Sequence, residues 1–161
     1  MKVEQLMTKD VRTCKPGDSL SDAAQLMWDG DCGCIPVVSD DGSKRVIGMV
    51  TDRDICMATH FRGFRPPEVP VGDVMSTSVR AVGPSEDLGD AEAIMCDAQL
   101  RRLPVVDENQ QLMGVLSLAD LAQEADRKRK SKQPPITEQE IGDTLTAICA
   151  PRRAEQLAPT A

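Results

Sequence analysis

Two stretches of the chain carry a hydroxyl residue followed three positions later by an aspartate, directly after an apolar run. Thr51 and Asp54 form the first pair, and Ser117 and Asp120 form the second. This spacing predicts the start of a helix closed by a capping box, with the hydroxyl residue at the N-cap. A helix start also presents unpaired N–H groups and partial positive charge, which suit a bound anion. Helix capping alone and anion binding are both open interpretations of these residues.

The two pairs lie in matched surroundings, because the chain repeats itself. Residues 1–38 align without a gap on residues 69–106, an offset of 68 positions. The offset falls to 66 where Gly48 aligns on Gly114, so the first copy has a longer turn before this point. Length changes of this kind are tolerated in surface turns, and the Asp and Gly residues there have turn chemistry.

Each copy predicts the same order of elements, β-α-β-β-α. A brief strand around Val11, or Val79 in the second copy, precedes a helix with apolar residues at helical spacing. Two strands joined by a tight turn follow, and the closing helix begins at the hydroxyl residue. The paired strands are predicted at residues 35–38 and 46–50 in the first copy and at 103–106 and 112–116 in the second.

The fold class predicted from this pattern is α/β, more narrowly α+β. A single copy is small for a self-sufficient core, and its continuous apolar strands favour burial on both faces. Two copies packed sheet to sheet supply the missing core, so we expect one pseudo-twofold pair. The predicted divisions are repeat 1 at residues 1–62, a connector at 63–70, repeat 2 at 71–126, and a basic linker with a C-terminal helix at 127–161.

The predicted C-terminal helix is amphipathic. Thr137 is its N-cap, and Ile136 and Ile141 are spaced to form a hydrophobic staple around it. Ile141, Leu145 and Ile148 form an apolar stripe that must be buried against the body of the chain, a second subunit or a different protein. Our hypothesis is that this helix is the moving or partner-facing part of the protein.

Composition argues against several classes of protein. The chain has 161 residues, of which 40% are apolar and 28% charged, and with no tyrosine, one tryptophan and two phenylalanines its core must be aliphatic. The net charge of −7 argues against a general nucleic-acid binder. The sequence has no apolar run long enough for a membrane span and no apolar segment typical of a signal peptide, so we expect a cytoplasmic protein.

The residue types do not predict a catalytic or metal site. The sequence has six scattered cysteines without a C-x-x-C pair and a single histidine, so it lacks the ligand spacing typical of a zinc site. No nucleophile is paired with a base, so we expect a protein that is not an enzyme. Two minor alternatives are a thiol-based redox sensor using Cys32 and Cys34 and a nucleic-acid protein using the basic run at 127–132.

The repeated residues together suit a nucleotide. In each half, strand residues 35–37 or 103–105, with Val11 or Val79, can form an apolar wall for a flat heterocycle. At the polar end, an aspartate can accept two hydrogen bonds from a ribose diol, and a hydroxyl group with helix-start N–H groups suits phosphate.

The duplicated motifs V-x-x-[LV]-M-[TS], [IL]-P-V-V and G-[MV]-[VL]-[TS]-x-x-D resemble those of tandem CBS domains, the Bateman module, over residues 1–125. The resemblance implies a pseudo-twofold pair of repeats with two clefts between the sheets. In this family the clefts bind adenosine-containing regulatory ligands such as AMP, ADP, ATP or S-adenosylmethionine. The resemblance also implies a homodimer. The predicted function is a non-catalytic sensor that signals to a partner, with a purely structural interaction module as an alternative.

Carried over by position, the resemblance gives each candidate residue a role. It implies that Asp54 and Asp120 hold the ribose, while Thr51 and Ser117 contact phosphate. It also implies that Ile35, Pro36, Leu103 and Pro104 line the base pockets, and we expect Val37, Val11 and Val79 to complete their apolar walls.

The two predicted clefts differ in charge. Arg53 is a further candidate for phosphate, whereas its counterpart in the second copy is Ala119. Arg101 and Arg102 likewise occupy positions where the first copy has no cation. We predict that the cleft containing Thr51 and Asp54 is the better phosphate binder.

Overall fold

The computed structural model describes residues 1–63, 65–131 and 133–151 and confirms the mixed helix and strand class. The elements in chain order are α1 Leu20–Asp29, β1 Cys34–Val38, β2 Val46–Thr51, α2 Asp52–Arg62, α3 Leu88–Ala98, β3 Arg102–Val106, β4 Leu112–Ser117, α4 Leu118–Lys128 and α5 Glu138–Cys149. Short 3-10 turns lie at Val3–Gln5, Pro66–Glu68 and Val71–Asp73. The same helix, hairpin and helix therefore occur twice and are followed by one more helix.

The two predicted strand pairs are confirmed as antiparallel hairpins. In the first, Ile35 lies opposite Val50, and in the second, Leu103 lies opposite Leu116. Each hairpin has one more residue pair than predicted. In the first hairpin this pair is Cys34–Thr51, which joins the residue before the apolar run to the hydroxyl residue. The hydroxyl residue thus ends its strand and caps the next helix.

The brief strands predicted at Val11 and Val79 are wrong in position. The pairing occurs three residues later, where Cys14 and Val82 each form a single parallel bridge, Cys14 with β1 and Val82 with β3. Cys14 is 1% exposed and Val82 is 2% exposed, whereas Val11 and Val79 are half-buried. Both segments offer two apolar residues three positions apart, and packing in the core selects the second of them.

The start of each repeat packs on the other repeat, which the sequence did not predict. Thr8 exchanges two backbone hydrogen bonds of 2.9 Å with Val115 of β4, and Ser76 exchanges two of 2.9 Å with Met49 of β2. Val3 and Met7 accordingly lie in the hydrophobic core of the second repeat. Residues of the first repeat therefore help to build the second, and the two halves depend on each other.

The contacts between the repeats are related by a pseudo-twofold axis. The Thr8–Val115 and Ser76–Met49 bridges are equivalents of each other under the repeat alignment. Arg45 forms an antiparallel β-bridge with Gln111, which is its own counterpart at the offset of 66. Beside this bridge, the Val46 N–H donates to the Gln110 carbonyl at 2.9 Å. A contact between equivalent positions lies on the axis that relates them, so the predicted pseudo-twofold arrangement is borne out.

Helix α5 packs on α3 and α4 of its own chain, which decides among the three predicted locations for its apolar face. The predicted capping box is present, since the Thr137 N–H donates to Glu140 Oε2 at 2.7 Å. Ile136 is 1% exposed and Ile148 is 8% exposed in the core of the second repeat.

The predicted apolar stripe of α5 is wrong at one residue. Leu145 is 46% exposed, and the buried position belongs to Thr144, which is 4% exposed. The Thr144 hydroxyl donates a hydrogen bond of 3.0 Å to Glu92 Oε1 of α3. Because that bond satisfies the buried hydroxyl, a polar residue can occupy the inner face. A search that counts apolar side chains alone cannot find this residue.

This contact makes the docking of α5 sensitive to pH. Burial, followed by the charge of Glu140, raises the pKa of Glu92 above its ordinary value of 4.5, against the Thr144 hydrogen bond, which lowers it. Because the pKa of Glu92 is higher in the folded chain than in the unfolded chain, its contribution to the free energy of unfolding is complete below pH 4.5. That contribution is lost as the pH rises through the raised pKa.

We therefore expect Glu92→Gln to become progressively more stable than the unchanged protein as the pH rises above 4.5. The amide oxygen can still accept the Thr144 hydrogen bond but carries no charge. Urea unfolding followed by circular dichroism at several pH values measures the difference. Glu4→Gln, on the exposed N-terminal turn, removes one negative charge without touching α5 and is the control. Parallel pH profiles for Glu92→Gln and the unchanged protein contradict the prediction.

Candidate functional site

The structure brings together each predicted pair of hydroxyl and carboxylate residues. The Thr51 N–H and hydroxyl both donate to Asp54 Oδ2, at 2.9 and 2.7 Å, and the Asp54 N–H donates to Thr51 Oγ1 at 3.1 Å. Ser117 and Asp120 repeat this arrangement at 2.8, 2.6 and 3.2 Å. All four residues are half-buried. The predicted capping boxes are confirmed, and each uses one carboxylate oxygen.

The first turn of α2 has its N–H groups satisfied within the chain. The Asp52 N–H donates to the Gly33 carbonyl at 3.1 Å, and the Arg53 N–H donates to Asp52 Oδ1 at 2.7 Å. The Asp54 N–H is taken by the capping box. Phosphate at this helix start would therefore meet the Asp52 carboxylate, while the exposed Arg53 side chain remains the attractive group.

The first turn of α4 is different. The Leu118 N–H donates to the Arg101 carbonyl at 2.9 Å, but the Ala119 N–H has no acceptor among the described residues. No acidic residue stands at the position of Asp52, where this repeat has Leu118. The second helix start thus keeps one N–H group available for an anion. The prediction of a better phosphate site in the first cleft rests on the Arg53 side chain alone.

The strand residues predicted to line the base pockets are buried, whereas Val11 and Val79 are half-buried. Ile35, Val37 and Leu103 are at most 1% exposed and pack in the two hydrophobic cores. Pro36 and Pro104 are also buried, and their carbonyls accept backbone hydrogen bonds from the neighbouring bridges. Any contact with a base at these positions must therefore come from the strand edge or follow a rearrangement of the core.

One arginine lies close to the pseudo-twofold axis. Cys34 pairs with Thr51, and its counterpart Arg102 pairs with Ser117. The Arg102 guanidinium lies against the Cys34 thiol, so these equivalent residues meet at the pseudo-twofold axis. The strand ends that carry Thr51 and Ser117 are consequently neighbours across the axis. The sequence alignment placed Arg102 opposite Cys34 but could not show that they touch.

Two of the cysteine thiols, Cys14 and Cys34, lie in environments that disfavour the thiolate form. Burial raises the pKa of Cys34, and the nearby Arg102 only partly opposes this effect. Burial, with the charge of Asp18, raises the pKa of Cys14 to about 12. Because the thiolate is the reactive form, these environments lower reactivity. No group of three or more potential metal ligands occurs among the described residues.

A groove between α1 and α2, which we call the α1/α2 groove, was missed by the sequence analysis. It has a volume of about 510 Å³ and is lined by Ala24, Met27, Trp28, Asp31, Cys32, Gly33, Asp52, Ile55 and Cys56. None of the predicted site residues lines it. No sequence pattern indicates this groove, because it depends on which helix pair α5 leaves uncovered.

Comparisons with known proteins agree with the observed fold. A family model described as CBS domain matches residues 3–60 and 71–127. The CBS domain-containing protein YhcV of Bacillus subtilis (strain 168) is 42% identical over 120 residues, which are 74% of this chain and 82% of that protein. TA0289, a conserved CBS domain protein of unknown function from Thermoplasma acidophilum, is similar in structure with a TM-score of 0.75 and 25% identity, over 91% of this chain and 75% of that one. CBSX2, crystallised in complex with AMP, gives a TM-score of 0.68 and 28% identity, over 80% and 98% of the two chains.

Among the described residues, none forms a helix with both the length and the apolar composition needed to cross a bilayer.

Proposed function

The chain belongs to the CBS-domain family, and on that premise we propose that it is a non-catalytic sensor that binds an adenosine-containing ligand between its two repeats. Proteins built from a CBS-domain pair are generally regulatory, and some bind adenosine ligands, as CBSX2 binds AMP. The observation that carries the proposal is that the two capping boxes follow the strand ends that carry Cys34 and Arg102, two equivalent residues that are neighbours at the pseudo-twofold axis.

The chemistry of these groups fits the parts of a nucleotide. Asp54 and Asp120 each use Oδ2 in the capping box, which leaves Oδ1 to accept hydrogen bonds from a ribose diol. The Ala119 N–H is a free donor, and Arg53 and Arg102 supply positive charge for phosphate oxygens. The polar end of the proposed site is therefore shared by both repeats.

Regulation follows from that shared position. A ligand that contacts both repeats changes their arrangement only to the extent that it binds one arrangement more tightly than another. Because the N-terminal turns are exchanged between the repeats, a shift at the axis reaches both cores. In this proposal the protein acts in the cytoplasm as a homodimer and passes the signal to a protein target, with α5 as one candidate contact.

A ligand panel tests the proposal. AMP, ADP, ATP, S-adenosylmethionine and NADH are added separately, each at increasing concentration, and thermal unfolding is recorded. A ligand present at 100 times its dissociation constant is expected to add about 2.7 kcal/mol of stability. Failure of all five to raise the melting temperature would favour the alternative of a purely structural interaction module. Sedimentation velocity of the same samples measures whether the protein is a dimer.

The two minor alternatives have their own measurements. Thiol titration before and after mild oxidation shows whether Cys32 and Cys34 respond, and a change in ligand affinity on oxidation would support a redox sensor. DNA or RNA binding that falls steeply with salt would support a role for the basic run at 127–132, which begins in the last turn of α4. Of that run, Lys132 lies outside the described residues.

A further inference from the structure

Helix α5 is held at its C-terminal end by Gln99, the residue that follows α3. The Gln99 side-chain Nε2 donates to the carbonyls of Ala147 and Ala150 at 3.2 and 2.8 Å. The backbone of Gln99 is left-handed, with a φ of 51°. Residues with a side chain adopt this conformation rarely, and it persists only where surrounding contacts offset its strain. The hydrogen bonds to α5 are two such contacts.

Residues 99–102, which we call the α3–β3 link, connect this contact to the start of α4. The Arg101 carbonyl accepts the Leu118 N–H in the first turn of α4 at 2.9 Å. Arg102 begins β3 directly opposite Ser117, the N-cap of α4. The link therefore contacts α5 at one end and the start of α4 at the other.

The first repeat has an equivalent link without a helix bonded to it. At the offset of 68 the link corresponds to residues 31–34, and Asp31 is also left-handed, with a φ of 46°. The Gly33 carbonyl accepts the Asp52 N–H at 3.1 Å, as the Arg101 carbonyl accepts the Leu118 N–H. Among the described residues, no side-chain hydrogen bond joins Asp31 to a helix, whereas Gln99 bonds to α5. The two links share a backbone path and differ in what holds them.

We propose that docked α5 increases the affinity of the second cleft for its ligand, because α5 holds the α3–β3 link in place. Without α5, Gln99 loses these two acceptors, and fewer contacts offset its strained backbone. The Arg101 carbonyl and the Arg102 guanidinium then lose their fixed positions beside the start of α4. Gln99 is therefore a positioning residue that acts on the ligand through its neighbours.

The two clefts consequently respond differently to α5. Ligand binding at the second cleft and docking of α5 favour each other, because a coupling between two sites acts in both directions. The first cleft has no helix bonded to its link and is not controlled by α5. This control rests on the proposed function for its ligand, whereas the mechanical connection from α5 to α4 is measurable without one.

The substitution Thr144→Val loosens α5 without touching the link. It removes the hydroxyl that donates to Glu92 at 3.0 Å and keeps the shape of the side chain. Thr146→Val makes the same chemical change on the exposed face of α5 and is the control. Circular dichroism and thermal unfolding of the full chain establish that each variant is folded.

Amide hydrogen exchange followed by NMR tests the connection without a ligand. In Thr144→Val we expect the amides of α5 and the Leu118 amide to exchange about 10-fold faster, as in a local opening. The Asp52 amide makes the equivalent bond in the first repeat and should keep its exchange rate. Thr146→Val should change neither amide.

A substitution in the link separates the side chain of Gln99 from its backbone. Gln99→Gly keeps the left-handed conformation and removes the bonds to α5. We expect the Leu118 amide to exchange about 10-fold faster in this variant. Asp31→Gly makes the same backbone change in the first repeat and should alter the Asp52 amide much less. Combined with Thr144→Val, Gln99→Gly should add little further effect, because both act through the same helix.

Binding of AMP measures the effect on the proposed site. Isothermal titration in an Asp54→Ala background, which disables the first cleft, isolates the second cleft. We expect Thr144→Val to weaken AMP binding there by about 5- to 10-fold, within the usual range of coupling between sites. By reciprocity, AMP should slow amide exchange in α5 of the unchanged protein.

Three results would overturn the proposal. The first is an equal rise in exchange at Leu118 and Asp52, because Thr144→Val would then lower only the stability of the whole chain. The second is faster exchange in α5 with no change at Leu118. The third is equal AMP affinity with and without Thr144→Val, which leaves the proposed function standing. If none of the five ligands of the panel binds the unchanged protein, the proposed function itself fails, and the control of ligand affinity fails with it even where Leu118 follows α5.

Discussion

Gly114→Ala is expected to lower the free energy of unfolding by about 3 kcal/mol, the cost of forcing extra volume into a packed core. An alanine Cβ at this position would lie 2.7 Å from the Thr8 carbonyl oxygen and 2.8 Å from Met7 Sδ. The Thr8 carbonyl cannot move freely, because it accepts the Val115 N–H at 2.9 Å while the Thr8 N–H donates back to Val115. Relieving the clash therefore breaks the bridge that holds the N-terminal segment on the second repeat.

The equivalent substitution in the first repeat is expected to cost less. A Cβ at Gly48 would lie 2.6 Å from Met75 Sδ but 3.1 Å from the nearest backbone atom, the Ser76 carbonyl oxygen. The methionine side chain is flexible and can turn away, so we expect Gly48→Ala to cost about 1 kcal/mol. The comparison separates a clash with backbone from a clash with the end of a side chain.

Urea unfolding followed by circular dichroism measures both substitutions. Gly142→Ala is the matched control, because its Cβ in α5 would meet no atom within 4 Å. The same chemical change there should stabilise the protein by about 0.5 to 1 kcal/mol through helix propensity. If Gly114→Ala is no more destabilising than Gly48→Ala, the exchanged N-terminal segment does not contribute as the structure indicates.

The repeated glycine also shows where prediction from sequence ends. The hydroxyl residues that follow it, Thr51 and Ser117, could be predicted as N-caps because a capping box is local. All of its partners lie within three residues along the chain. The glycine itself is explained by a segment about a hundred residues away in the second repeat, where Thr8 meets Val115. No local pattern indicates a contact of that separation.

The remaining errors have the same physical origin. Apolar spacing identified the correct helices and hairpins, but it could not choose between Val11 and Cys14, since both are apolar and tertiary packing selects one. It placed Leu145 inside and overlooked Thr144, because a polar residue is buried only when a partner such as Glu92 is supplied by another element. The candidate site divides similarly: the capping boxes were predictable, whereas the proximity of Cys34 and Arg102 at the axis required the fold.

Asp54→Ala and Asp120→Ala are each expected to weaken binding of an adenosine ligand by about 10- to 100-fold, the loss typical of hydrogen bonds to a charged group. Each substitution also removes a capping interaction and should cost about 1 kcal/mol of stability. Affinity must therefore be measured by isothermal titration well below the melting temperature of each variant. The expected loss follows from the proposal that the free Oδ1 of each carboxylate accepts the ribose hydroxyl groups.

A third capping box provides the matched control. Ser19 and Asp22 at the start of α1 have the same geometry, with the Ser19 N–H and hydroxyl donating to Asp22 Oδ2 at 3.1 and 2.7 Å. Hydrogen bonds from Ser19 lower the pKa of Asp22, so this carboxylate is ionised in the pH range of the experiment. Asp22→Ala should cost similar stability and leave ligand affinity unchanged. If it weakens binding as much as the other two, the losses reflect helix capping and not contact with the ligand.

The affinity losses of Asp54→Ala and Asp120→Ala, compared with each other, show whether the Arg53 side chain or the Ala119 N–H binds phosphate more strongly. We expect the larger loss for Asp54→Ala, because a contact from the Arg53 guanidinium is charge-assisted and stronger than one from the neutral Ala119 N–H. Adenosine measured beside AMP isolates the phosphate contribution, and Arg53→Ala should remove most of that difference in the first cleft. Equal losses for the two carboxylates would end the predicted asymmetry. A larger loss for Asp120→Ala would instead show that the Asp52 carboxylate offsets Arg53 and that the open helix start of α4 is the better site for phosphate.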